Sequence, residues 1–399
     1  MTEHDLPLTG VRVAEFTHMV MGPATGLVLA DLGADVVKVE PLQGDKTRRL
    51  GGSGAGYFHM YNRNKKSVCV DLKSEQGREA VFRLIRDSDV LIENFRAGAM
   101  DRLGFGYEAV NALNPRLIYC SLKGFLSGPY EKRTALDEVA QMMGGLAYMT
   151  GLPGRPMRAG SSVIDIMGGV FGAVGILAAL EQRHRSGAGQ LVTSSLFEST
   201  AFMVGQHMAQ QGVLGEEPPP MSVRTSAWAI YDIFDCTGGD RVFVGVVSDS
   251  LWKAFCKEFH LDVFAADRSL DTNNDRVREN QRILPVISEL FAGMEKSEMI
   301  ERLERAGIPF APINRPADLF DDPHLRQNDG LVEITLQRGE NRGEALGLPA
   351  LPVEMNHRKF GLRRDLPDAG EDSSDVLRGL GYTEEEIRSM LEAGVLAGE

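Results

Sequence analysis

The chain has 399 residues, 43% of them hydrophobic and 25% charged, with a net charge of −13. That is the composition of a globular protein of two or three domains, and it excludes disorder, collagen and a disulfide scaffold. The acidic balance argues against nucleic-acid binding, although a few well-placed cations can still hold an anion.

Read in chain order, MTEHDLPLTG lacks the basic and apolar regions of a signal peptide. Val11–Phe16 reads as a strand, Pro23–Leu32 as a helix stopped by Gly33, and Asp35–Glu40 as the next strand. This is a right-handed βαβ unit and implies a parallel sheet. The alternation continues with strands at 67–72, 90–95 and 117–122 and helices at 74–86 and 99–113. The apolar runs VLIENF and LIYCSL suit a sheet covered on both faces. Helices dominate from Asp137 to Gln211, with a short strand at 190–193. Within them, the uncharged run Ile166–Leu180 falls short of the roughly 20 residues of a bilayer span and reads as a buried helix.

A proline-rich break at Gly215–Pro220 marks a linker, placed at 213–225, between a large part (1–212) and a smaller domain (226–322). That domain should hold an antiparallel pair, Ala229–Phe234 with Val242–Val247, and helices at 249–259, 279–293 and 296–306. Residues 323–399 are loop-rich and end in an acidic helix from Thr383. Cys69, Cys120, Cys236 and Cys256 form no CxxC and no metal cluster, which points to reduced thiols and a cytoplasmic location.

Doubly wound sheets bind ligands at the carboxyl ends of their strands. The loop after the first strand, Thr17–Pro23, lacks the GxGxxG of a dinucleotide site, so a nicotinamide dehydrogenase loses its main support. His18 in that loop is either structural or functional. In Gly52–Lys73, Tyr57, Phe58 and Tyr61 precede Arg63, Lys65, Lys66 and Lys73. These residues either stack a base and neutralise phosphates or form a surface loop. Asn94, Phe95 and Arg96 end a strand, with Arg102 on the next helix and Lys123 closing the strand after it. Asn94 either caps the helix or serves a site. Asp165, Gly168, Gly172, Gly175 and Ala179 share one helical face, so a backbone or ligand can approach below Asp165. Asp165 is then either an N-cap over a close helix crossing or a reactive carboxylate at a helix start.

Taken together, GVRVAEFTHMVMGPATG, ADLGADVVKVEP, YFHMYNRNKKSVCVDLKSEQG, ENFRAGAMDRLGFGY, LDEVAQMMGG, DIMGGVFGAVGILAALEQRHRSGAGQ, PFAPIN, DDPHL and GEDSSDVLRGLGYTEEEI resemble the class III (formyl-CoA transferase, CaiB–BaiF) coenzyme A transferase family over nearly the whole chain. The resemblance implies an α/β fold with a large Rossmann-like parallel-sheet domain built from both chain ends, a smaller α+β domain and an interlocked homodimer. It makes Asp165 the catalytic residue. CoA contacts fall at His18, Met19, Val20, Val70, Asp71, Leu72, Lys73, Asn94, Phe95, Arg96 and Arg102. Tyr57 and Asp137 come to the substrate pocket. The expected partners are acyl-CoA and a carboxylic acid, with no membrane or nucleic acid, no metal, and no cofactor beyond CoA as substrate.

The chain departs from the formyl-CoA enzyme at Val20 and Pro41, where glutamine and arginine stand there, and its Gly238-Gly239 turn is shorter than the loop that closes over oxalate. These departures favour a larger acid, of C4–C6 dicarboxylate type with succinyl-CoA as donor, held through Arg48, Arg49 or Arg224. An α-methylacyl-CoA racemase would need a GHDxNY motif, and Thr134–Val139 lacks its histidine. A non-catalytic acyl-CoA-binding protein is the other alternative.

Overall fold

The computed structural model describes residues 6–224 and 226–398. It forms two compact units, Met1–Ser222 with Pro323–Glu399, and Val223–Asp322.

The first unit opens with β1 (Arg12–Phe16), α1 (Met21–Asp31), β2 (Asp35–Glu40), α2 (Tyr57–Tyr61) and β3 (Lys65–Val70). It continues through α3 (Glu75–Arg86), β4 (Val90–Glu93), α4 (Ala99–Leu103), α5 (Tyr107–Leu113) and β5 (Ile118–Lys123). Then come α6 (Asp137–Met143), α7 (Leu146–Thr150), α8 (Val163–Ser186), β6 (Leu191–Ser195) and α9 (Leu196–Leu214). The second unit holds β7 (Ile230–Asp235), β8 (Arg241–Val246), α10 (Asp249–Glu258), α11 (Asp262–Ala265), α12 (Asn273–Arg278), α13 (Asn280–Ala292), α14 (Lys296–Arg305) and β9 (Phe310–Pro312). Back in the first unit are α15 (Pro323–Gln327), the hairpin β10 (Leu331–Thr335) and β11 (Ala345–Pro349), the short pair β12 (Glu354–Met355) and β13 (Arg358–Lys359), α16 (Ser373–Gly379), α17 (Glu384–Glu392) and β14 (Leu396–Ala397).

The central sheet runs β14-β3-β2-β1-β4-β5-β6, parallel except for antiparallel β14. One face buries Val37, Val39, Ile85 and Phe105 with Leu377, Ile387 and Met390 of the C-terminal helices. The other buries Val13, Ile92 and Cys120 under α1, α8 and α9. Chain order reverses between β1 and β4, which opens a crevice at their carboxyl ends. The second unit packs its three-stranded antiparallel sheet against helices around Phe255, Ile283 and Phe291.

Several expected elements shift for identifiable reasons. The strand expected at 67–72 is Lys65–Val70, because the side chains of Lys65 and Ser67 are drawn inward. The helix expected at 99–113 breaks at Gly104, whose φ of 84° ends α4 while Phe105 turns into the core. The 166–180 run is buried on one side only. Gly169 and Gly172 pack against α1 so closely that a Cβ on Gly169 would sit 2.7 Å from the Met21 carbonyl. Thr25 on α1 donates a hydrogen bond to the Gly169 carbonyl at 2.9 Å. Across the helix, Val170 and Val174 are exposed. Among the described residues α8 is long and apolar enough to cross a membrane, and its glycine side is packed against α1 within the first unit.

Candidate active site

α8 begins after Ser162, so Asp165 lies in the first helical turn rather than at the N-cap. Ser162 makes no side-chain capping bond. The cap comes instead from α6, where buried Asp137 accepts the backbone N–H groups of Ile164 and Asp165 through Oδ2, at 2.9 and 3.1 Å. Its other oxygen accepts from Gln141 at 2.5 Å. Asp137 is therefore a support beneath the helix start and not an open wall of a pocket. Arg158 binds Glu138 and lies 3.7 Å from Asp137.

The Asp165 carboxylate has no hydrogen-bond or ion-pair partner among the described residues. Burial pushes it up to about 7, with Asp137 and Glu138 adding repulsion and Arg158 opposing it. A half-buried, unneutralised carboxylate of this kind is a candidate functional group. Tyr57 and Tyr61 stand four residues apart on α2, hence on one face. The Tyr57 hydroxyl is 3.5 Å from Ser162 Oγ. Burial, with Asp165 close by, raises Tyr61 to about 12. The sequence offers Tyr61 for base stacking, and the structure instead sets it close to Asp165.

The residues expected after β1 and β4 meet at the crevice. Asn94 Oδ1 accepts from His18 N at 3.0 Å, and Asn94 Nδ2 donates to His18 O at 2.8 Å. Asn94 thus holds the His18 peptide groups instead of capping a helix. The His18 ring lies 5.5 Å from that of Phe95, and its buried Nδ1 has no hydrogen-bond partner among the described residues. Burial lowers the imidazole below its usual value. Lys123 binds Glu93 at 2.6 Å and the Phe95 carbonyl at 2.7 Å, which fixes the second loop.

Arg96 and Arg102 are exposed, as is Lys73. Asp71 and Leu72 are half-buried in the turn from β3 to α3. Lys73 lines a groove of about 1130 Å³ with Arg78, Phe82 and Tyr382. Val20 and Val70 are buried, which leaves their side chains unavailable to a ligand.

Other basic residues are committed elsewhere. Arg63 is buried against Asp31 at 2.7 Å and Lys65 against Glu15 at 2.9 Å, which removes both from phosphate binding. Phe58 is buried beneath Arg48, whose guanidinium lies 3.9 Å from the ring centroid. Arg48 also binds Glu40 at 2.6 Å, and Arg49 donates to the Gln43 carbonyl at 2.6 Å.

Comparison with known proteins places the whole chain in a family. The profile of CoA-transferase family III matches residues 8–373. The succinate–glutarate CoA-transferase of Agrobacterium fabrum is 32% identical, over 94% of this chain and 96% of its own. The formyl-CoA:oxalate CoA-transferase of Streptomyces coelicolor is 35% identical, over 98% and 99% respectively. The crystal structure of a CaiB/BaiF family protein from Brucella suis superposes with a TM-score of 0.81 at 32% identity, covering 94% of this chain and 99% of that one. A carboxylate left uncompensated at a helix start, beside a crevice whose loops hold one another, is thus found in a chain that belongs to CoA-transferase family III, an enzyme that transfers CoA groups.

Proposed function

We propose that Asp165 carries the acyl group and then CoA in a covalent exchange. Its carboxylate oxygen attacks the donor thioester carbonyl and expels CoA thiolate, leaving a mixed anhydride. The thiolate attacks the aspartyl carbonyl, which releases the donor acid and leaves an aspartyl-CoA thioester. The acceptor carboxylate attacks that thioester, expelling thiolate once more. The thiolate then takes the new acyl group and regenerates Asp165. No proton is gained or lost over the cycle. The observation that carries this reading is the unpartnered carboxylate of Asp165, pushed up to about 7 at a helix start. Hydrogen-bond donors near that start suit the oxyanions of each step.

For the substrates we propose succinyl-CoA as donor and a C4–C6 dicarboxylate as acceptor. The succinate–glutarate relative supports this choice. Arg48 is paired with Glu40 and is not the anchor of the second carboxylate. A screen of acyl-CoA donors against free acids, read by mass spectrometry, tests the assignment. Transfer from succinyl-CoA to glutarate-like acids should exceed transfer to oxalate by at least about tenfold. Preference for oxalate would refute it, and α-hydrogen exchange without an acid acceptor would favour the racemase reading.

The same reading includes an interlocked homodimer in the cytoplasm. Phe202 on α9 is 74% exposed and Val174 on α8 is 54% exposed, beside Phe171, whose ring meets that of Phe202 at 5.4 Å. An apolar surface of this kind is usually covered. The double variant Val174→Glu with Phe202→Glu should run as a folded monomer in light scattering, since neither change buries a charge within one subunit. An unchanged oligomer would argue against this face.

A further inference from the structure

The turn after β1 is held more tightly than its length requires. Met19 adopts a φ of 64°, a left-handed conformation that is unfavourable for a non-glycine side chain. Its N–H donates to Thr47 Oγ1 at 3.0 Å. Two residues earlier, the Thr17 carbonyl accepts from Lys38 Nζ at 2.7 Å. One carboxylate joins these two supports. Asp45 Oδ1 accepts from the Thr47 amide at 2.9 Å and its hydroxyl at 2.8 Å, while Asp45 Oδ2 lies 3.2 Å from Lys38 Nζ. Glu40 fixes Asp45 in turn by accepting its N–H at 2.7 Å.

Lys38 and Thr47 are fully buried. Burial alone would lower Lys38, but Glu15 and Asp45 hold it above its usual value, so its charge persists inside the protein. Glu15 is accommodated because residue 26 is glycine, where a Cβ would fall 1.7 Å from its Oε2. A buried charge network of this type is generally no more stabilising than apolar packing, so its retention points to geometric specificity.

We infer that Lys38, Asp45 and Thr47 form a buried brace that holds the His18–Met19 turn in its acyl-CoA-accepting shape before substrate arrives, with Thr47 as the positioning residue for the Met19 amide. This rests on the assignment of CoA to that turn. The brace touches no substrate and acts through the backbone. A preset turn spares binding the cost of ordering it.

Thr47→Val keeps the shape of the side chain and removes the acceptor, whereas Thr47→Ser retains it. Thr47→Val should raise KM for the donor acyl-CoA by about tenfold, with kcat and the acceptor-acid KM within about twofold of wild type. Thr47→Ser should behave as wild type. An unchanged donor KM in Thr47→Val, or equal impairment by valine and serine, would overturn the inference. Hydrogen exchange on the unmodified enzyme gives a check that needs no variant. Amides of residues 17–20 should exchange slowly without ligand, and rapid exchange there would also overturn it. CoA affinity that stays unchanged in His18→Ala, read by calorimetric titration, refutes the CoA placement and this inference together. A competent wild type with an insensitive Thr47→Val refutes the inference alone.

Discussion

Asp165→Ala is expected to lower kcat by about 10⁴-fold or more while the variant still binds CoA, because the change removes the group proposed to form both covalent intermediates. Calorimetric titration with CoA separates lost chemistry from lost binding, and hydroxylamine added during turnover should mark Asp165 in wild type alone. Near-normal turnover in the variant would end the proposal. A second readout follows from the position of the carboxyl. Its folded value is raised to about 7 from an ordinary 3.8, mainly by burial. The folded protein therefore disfavours the ionised form. Stability from this group is complete below the unfolded value, declines as pH rises and is lost by the folded value near 7. At pH 8 wild type carries the full penalty, and Asp165→Asn does not. The asparagine variant should thus melt higher at pH 8, by an amount of order 1 kcal/mol after solvent screening, and the gap should narrow towards pH 4.

Asp137→Asn should shift the acid limb of the kcat/KM profile to lower pH. Asp165 must be ionised to attack, so activity falls as pH drops through its folded value. Burial is the larger cause of the raised value, and the neighbouring charge of Asp137 is the next. Without that charge the limb should move down by about one unit. Asp137→Ala has a different consequence, since the Ile164 and Asp165 amides lose their acceptor. It should cost about 2 kcal/mol of stability and misplace the nucleophile. An acid limb that stays fixed in Asp137→Asn would show that Asp137 does not set the nucleophile's ionisation.

The sequence disclosed the alternation of β1 through β6 because short β-branched and apolar segments alternate with helical patterns, although buried Glu15, Lys38, Lys65 and Ser67 interrupt several of the strands. Small residues recurring beneath Asp165 at helical spacing single it out but leave its role open between cap and reactive group, and only the family resemblance chooses between them. What stayed hidden depends on pairings across long separations. Arg63 and Lys65 looked like phosphate ligands, but their partners Asp31 and Glu15 lie on other elements. Arg48 looked available until Glu40 and Phe58 were placed beside it. The cap on α8 could not be seen locally, since the helix start has a serine in the expected place and takes its acceptor from α6. Val20 and Val70 follow the family pattern in position while their side chains turn inward.

The outermost strand of the main sheet consists of Leu396 and Ala397, paired with Val70 and Cys69. During synthesis the edge of β3 therefore remains bare until more than three-quarters of the polypeptide has followed it out of the ribosome. An open strand edge of that kind invites pairing with other chains. Nascent molecules crowded on one messenger are thus most exposed to mutual aggregation late in translation, and a chaperone that shields this edge should improve the yield of soluble enzyme.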